Sequence, residues 1–191
     1  MLATGSRLAD GSVLANVSFL NIGPNRTTET DLPMRDNSEA VRVIGSFNSE
    51  SKFIDARTGR ETSVLLTAGR GYFVVGLVGV GQEPTDHALK DIAAKAAELE
   101  QWGRSIILLF PDETAYAKYA ASPAASLPQT VTFGIDRDGS VRRRILEAMQ
   151  LPGNVSLPVF LIGDTFNRVV FESHGYTIGL GDRLLHTIHQ L

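Results

Sequence analysis

The stretch "SLPVFLIGDTFNRVVFESHGY", residues 156–176, holds a proline, an apolar run, a turn and a second apolar run that ends at a glycine. "VFLIGD" (159–164) and "RVVFES" (168–173) are rich in the β-branched and aromatic residues that favour strands, and "DTFN" joins them at hairpin spacing. An antiparallel pair is therefore expected close to the C-terminus. After it, Leu184, Leu185, Ile188 and Leu191 recur at helical spacing in "LLHTIHQL", which predicts a closing amphipathic helix. Doubly wound nucleotide-binding folds finish on parallel strands, so a terminal hairpin argues against them.

The same choice is posed by "GYFVVGLVGVGQEPTDHALKDI", residues 71–92, an apolar run that leads through glycines into a helical pattern. A dinucleotide fingerprint needs G-x-G-x-x-G at such a junction. Gly79 and Gly81 supply the first two glycines, but Pro84 stands at the third, where a bare α-carbon must let helix and strand approach. A Walker loop would need Gly-Lys-Ser/Thr, which does not occur. The nucleotide reading fails on both counts.

Between these two stretches strands and helices alternate. Leu89, Ile92, Ala96 and Leu99 mark a helix with Thr85 or Asp86 placed to cap it and Gly103 to end it. "SIILLF" (105–110) is a continuous apolar run suited to a central strand buried on both faces. "DETAYAKYAA" reads as a short helix, "AASPAASLP" (120–128) as a loop and "TVTFGI" (130–135) as a strand with "DRDG" as its exit turn. Val141, Ile145, Leu146 and Met149 form a further helical stripe behind the cap candidate Ser140.

Up to about Gly69 the pattern is one of strands and turns. "GSVLANVSFLNI" (11–22) and "TTETDLPMR" (27–35) flank the turn "GPNR" and predict an antiparallel pair, with Val17 and Phe19 buried and Pro33 confining the second strand to an edge. "AVRVIGSF" (40–47) and "SVLLTA" (63–68) read as two more strands, with no helix in this part. The expected division is a small antiparallel β-module over 1–69 and an α/β domain over 70–191.

Composition bounds the chemistry. At 43% hydrophobic and 20% charged residues the chain has the makings of a folded domain rather than a disordered segment. A net charge of −3 gives no electrostatic basis for binding nucleic acid or anionic lipid, and no apolar run is long enough for a membrane span. The chain has no cysteine, so no residue of its own can form a disulfide, a thiolate nucleophile or a zinc–thiolate site.

The order of elements, with "GQEPTDHALKDI" after the first buried strand and a proline ahead of the terminal hairpin, resembles the thioredoxin fold. The extra strand "TVTFGID" is similar to the longer, peroxiredoxin-related branch of that superfamily. The resemblance implies an α/β fold with a mixed sheet, flanking helices, and a C-terminal β-hairpin and helix. It places "GQEPT" where the redox enzymes have Trp-Cys-x-Pro-Cys. Gln82 then stands at the nucleophilic cysteine, Pro84 at the motif proline and Thr85 at the resolving cysteine, with Pro158 at the cis-proline that faces them. An amide and a hydroxyl cannot carry out dithiol exchange, so no catalytic residue, metal ligand or cofactor is expected. What remains is a degenerate active-site or peptide groove made by Gly81, Gln82, Glu83, Pro84, Thr85, Leu157 and Pro158.

Phrases along nearly the whole chain, among them "TGSRLADGSVLANVSFLNI", "GSFNSES", "GVGQEPTDHALKDIA" and "DTFNRVVFESHGYTIGLG", resemble the C-terminal region of large bacterial transglutaminase-like proteins with a papain-like catalytic domain. The resemblance implies that the Cys-His-Asp triad lies upstream of this chain and that the place of work is the cell envelope or beyond. It also implies that the chain is an accessory binding or positioning unit whose partners are a protein or peptide and the upstream domains of the same polypeptide. The competing reading is an enzyme that uses the inherited cleft with Glu83, Asp86 or His87 as acid/base groups.

Other motifs read more simply as structure. His186 and His189, with His174 twelve residues before the first, are helix-surface histidines rather than a metal set. "DRDG" (136–139) lacks the later ligands of a calcium loop. The three arginines at 142–144 point in different directions on a helix and suit a solvated face.

Overall fold

A computed structural model describes residues 42–191 throughout and, before them, the backbone of three short strands. These are β1 (Gly5–Arg7), β2 (Val13–Ala15) and β3 (Leu32–Met34). They form an antiparallel sheet in the order β1-β2-β3, with Val13 opposite Met34 and Ala15 opposite Leu32. Pro33 thus sits in an edge strand of that sheet, opposite Leu14. The expected turn at 23–26 and the positions of Val17 and Phe19 lie outside the described residues.

The second unit, Val41–Leu191, is built on one eight-stranded sheet. Its strands are β4 (Gly45–Ser46), β5 (Lys52–Asp55), β6 (Glu61–Ser63), β7 (Tyr72–Leu77), β8 (Ile106–Phe110), β9 (Val131–Ile135), β10 (Val159–Asp164) and β11 (Arg168–His174). The order is β4-β11-β10-β7-β8-β9-β5-β6. β7, β8 and β9 run parallel, while β10 is antiparallel to both β7 and β11. This is the thioredoxin-like mixed sheet with its terminal hairpin. The boundary expected between 69 and 70 runs through the sheet, and the two units part instead between Ala40 and Val41. The reason is pairing: β4 bonds to β11 and β5 bonds to β9, so residues on both sides of 69 share one set of hydrogen bonds.

Side chains of the central strand alternate between two cores, as pleating requires. Ile106, Leu108 and Phe110 enter one face, and Ile107 and Leu109 enter the other. The first face is covered by α2 (Glu83–Ala94), α3 (Ala96–Trp102), α4 (Glu113–Ala121) and α6 (Leu180–Ile188), through Leu89, Ile92, Leu99, Tyr119, Leu184 and Ile188. The second is covered by α5 (Ser140–Ala148) through Val141, Ile145 and Leu146, with Phe47, Phe53 and Val64 from the segment that precedes β7. Each such Leu, Ile or Val contributes about 1.5–3 kcal/mol by leaving water. "SIILLF" is apolar without interruption because both of its faces are covered.

Three local expectations change. "SVLLTA", expected as a strand, divides into the end of β6 and a short helix, α1 (Val64–Ala68). The Ser63 hydroxyl accepts a hydrogen bond from Leu66 N–H and starts it, and Gly69 at φ 71° ends it. The helical stripe from Leu89 to Leu99 is two helices, broken at Lys95. At α5 the cap is not Ser140: the buried Asp136 carboxylate accepts from Val141 N–H and Arg142 N–H at 3.1 and 2.7 Å. No helix among the described residues is long and apolar enough to cross a membrane.

Candidate functional site

Val159 of β10 is paired with Leu77 of β7, so the residues after Leu77 and those before Val159 leave the sheet at the same end. That register places both segments of the expected groove, Gly81–Thr85 and Leu157–Pro158, beyond the same end of the sheet. The Leu157–Pro158 peptide bond is cis, as the resemblance implied.

The loop out of β7 is shaped by its glycines. Val78 N–H still bonds to Leu109 O at 3.0 Å, and the chain then turns through Gly79 and Gly81 into α2. Gly81 has φ +66°, a conformation that side chains with a Cβ rarely adopt. At Gly79 the exposed Gln82 amide folds back over the α-carbon, its Cδ 2.6 Å from where a Cβ would lie. The glycines suggestive of a phosphate loop therefore serve the entry of this helix.

Gln82 precedes α2 in extended geometry (φ −113°, ψ 122°), makes no side-chain cap bond, and is exposed. Glu83 beside it is also exposed, and Pro84 occupies the first turn, where a missing N–H is harmless. Thr85 is not the cap. It lies inside the helix, 1% exposed, and its hydroxyl accepts a hydrogen bond from Gly79 N–H at 3.3 Å, tying loop to helix. The side chain at the nucleophile's place is thus open to solvent, while the one at the resolving position is sealed.

Ahead of β10, Ser156 O and Pro158 O both accept from Gly175 N–H, at 3.1 and 2.8 Å, which fixes the proline loop to the end of β11. Between them Leu157 is half-buried, and its N–H and C=O have no hydrogen-bond partner among the described residues.

The acid/base candidates do not converge. Glu83, Asp86 and His87 make no side-chain hydrogen bond among the described residues. His87 stacks on Tyr176 with ring centroids 4.9 Å apart, and its Nε2 lies 3.6 Å from Asp91 Oδ2. No group of three or more metal-ligating side chains occurs among the described residues. Gln190 Nε2 lies 3.3 Å from the His186 Nε2, and Arg142 alone of the three arginines is half-buried.

One feature at this end of the sheet had no reading in the sequence. A cavity of about 340 Å³ opens at the C-terminal ends of β7, β8 and β9, floored by Leu77, Val78, Leu109, Phe110 and Leu157. Its rim is the Asp136–Gly139 turn and Arg142. Burial raises the pKa of Asp136 despite its two backbone hydrogen bonds. Asp138 is held below the ordinary carboxylate range by hydrogen bonds from Ser140. The usable signal was topological, because clefts in open α/β sheets lie beyond the carboxyl ends of parallel strands. Of the seven groove residues, only Leu157 lines the cavity.

No protein-family model matches the sequence, and no curated protein is significantly similar to it. Solved structures do share its fold. The bacterioferritin comigratory protein of Xanthomonas campestris superposes with a TM-score of 0.59 at 13% identity, over 78% of this chain and 100% of that one. BsSco, a member of the Sco family of cytochrome c oxidase assembly proteins, gives 0.59 at 12% identity, over 80% and 96%. The peroxidoxin BcpB of Mycobacterium tuberculosis gives 0.58 at 13%, over 78% and 98%. The chain therefore has the thioredoxin-like fold of these redox proteins, and it has no cysteine.

Proposed function

We propose that this chain is a non-catalytic, redox-inactive thioredoxin-like module that binds or positions an extended protein segment within a larger bacterial transglutaminase-like protein. The carrying observation is Leu157, whose backbone donor and acceptor lack partners among the described residues, at the end of the sheet from which the loop to exposed Gln82 also leaves. An extended peptide laid along Leu157 gains main-chain hydrogen bonds by strand addition, and this needs no thiol. The transglutaminase-like setting is supported by the phrase similarity along the sequence. It is checked by whether the reading frame continues upstream into a Cys-His-Asp domain.

Groove binding is tested with Gln82→Cys, which introduces a single thiol at an exposed position. A cysteine-containing extended peptide is joined to it as a mixed disulfide, and amide hydrogen exchange is read residue by residue. Protection of Leu157 N–H, with the central strands unchanged, is the expected result. A tethered peptide that leaves Leu157 exchange unaltered overturns the groove.

A further inference from the structure

The cavity beyond β7, β8 and β9 combines an apolar floor with two charges that have no ionic partner. Arg137 at the rim is committed to Glu113, with its Nε 3.0 Å from Glu113 Oε1. Asp136 is committed to the first turn of α5. The Asp138 carboxylate accepts from Ser140, whose N–H lies 3.0 Å from Oδ1, and meets no cation within ion-pair distance among the described residues. Arg142 donates one bond, from Nη2 to Gly153 O at 3.1 Å, and also meets no carboxylate among the described residues. The Arg142 guanidinium keeps its remaining donors available for a planar carboxylate. An ammonium group is the complement of the ionised Asp138.

We propose that this cavity is a binding site for a small zwitterion with an apolar side chain, an aliphatic or aromatic α-amino acid. Its carboxylate meets Arg142, its ammonium meets Asp138, and its side chain lies on Leu77, Leu109, Phe110 and Leu157. Three features carry the assignment. The volume of about 340 Å³ lies at the small end of ligand pockets. The floor offers no hydrogen-bonding side chain to a polar substituent. The rim presents one uncommitted charge of each sign, which selects against plain fatty acids and amines alike. The site uses none of Gly81–Thr85 and shares only Leu157 with the peptide groove.

The test is calorimetric titration of the purified chain with leucine, phenylalanine and aspartate, and with N-acetyl-leucine and leucinamide, which each lack one charge. Saturable binding of leucine or phenylalanine is expected, with aspartate and both blocked derivatives weaker by about tenfold or more, the ratio a charge-assisted hydrogen bond carries. Arg142→Gln and Asp138→Asn should each reduce leucine binding by a similar factor. Both keep the Asp136 carboxylate that caps α5, and thermal melting verifies that the variants fold. Absence of saturation up to on the order of 10 mM ligand, equal binding of leucinamide or N-acetyl-leucine, or undiminished binding in the folded variants overturns the assignment.

Discussion

Gly76→Ala tests how tightly the two cores are locked to the sheet. Gly76 lies in β7 between Leu108 of β8 and Phe160 of β10. A methyl group there would sit 2.8 Å from Phe160 Cδ1, nearer still to Cε1, and 3.0 Å from Leu108 Cδ2. Phe160 is 1% exposed and Leu108 fully buried, so neither can move without displacing further core atoms. Overpacking of this kind costs about 1–3 kcal/mol. The restricted unfolded chain returns about 0.4–1 kcal/mol, which leaves a net loss of about 1–2 kcal/mol. Phe160→Leu removes the clashing ring edge but opens a void, at about 1–2 kcal/mol on its own. The double variant should be at least about 1 kcal/mol more stable than the sum of the two, because each change relieves the other. Urea unfolding with an unchanged m-value is the assay. A Gly76→Ala protein with the parent's midpoint, or strict additivity in the double variant, would show that Phe160 has room to yield and refute the reasoning.

Thr85→Val should lower stability by about 1–3 kcal/mol by stranding Gly79 N–H, and speed its exchange; Thr85→Ser should restore both. Asp136 has a folded pKa above its ordinary 3.8 because of burial, so the native state holds its proton more tightly than the unfolded chain. Its contribution is therefore fully present below pH 3.8 and falls as pH rises through the folded value. The stability difference between the parent and Asp136→Asn, followed by denaturant unfolding from pH 3 to 7, should shift against the parent across that window; a flat difference would contradict it. Asn167, at φ 64°, accepts from Ser49 N–H and Ser49 Oγ at 2.9 Å each. Asn167→Gly keeps the backbone but loses both bonds, so Ser49 exchange should rise ahead of that of β8, with a cost of about 1–2 kcal/mol.

The interior of this fold was legible in the sequence, and its margins were not. "SIILLF", the 159–173 hairpin and the α6 stripe are long enough for burial on one or two faces to leave a clear pattern. β4 and β6 span Gly45–Ser46 and Glu61–Ser63, too short for a period to register, and the partner of β4, β11, lies far along the chain. Val64–Ala68 shows the same limit, since five apolar-leaning residues suit a strand and a helical turn alike. The cis Leu157–Pro158 bond and the glycine-led entry of α2 were legible because a proline before a hairpin and a glycine loop before a helix fix backbone geometry locally. The role of Thr85 was not, because its partner Gly79 N–H depends on how the loop folds back. Asp136 was missed for a related reason: it caps α5 from beyond the nearest-neighbour positions that cap patterns inspect. The cavity arises only where three strand ends converge, and no contiguous segment encodes that.

Both outer margins of the eight-stranded sheet come from the segment that precedes β7, with β4 at one and β5–β6 at the other. This has a consequence for biosynthesis. Ser49 and its partner Asn167 are separated by 118 positions, which at about 5–20 residues per second takes a ribosome roughly 6–24 seconds. Throughout that interval Phe47 and Phe53 have emerged without the core that buries them, and nascent-chain chaperones have a defined window in which to hold them. A recombinant form that begins after residue 69 never closes that window. It presents the bare backbone margins of β11 and β9 to other molecules, and edge-to-edge association is its expected fate.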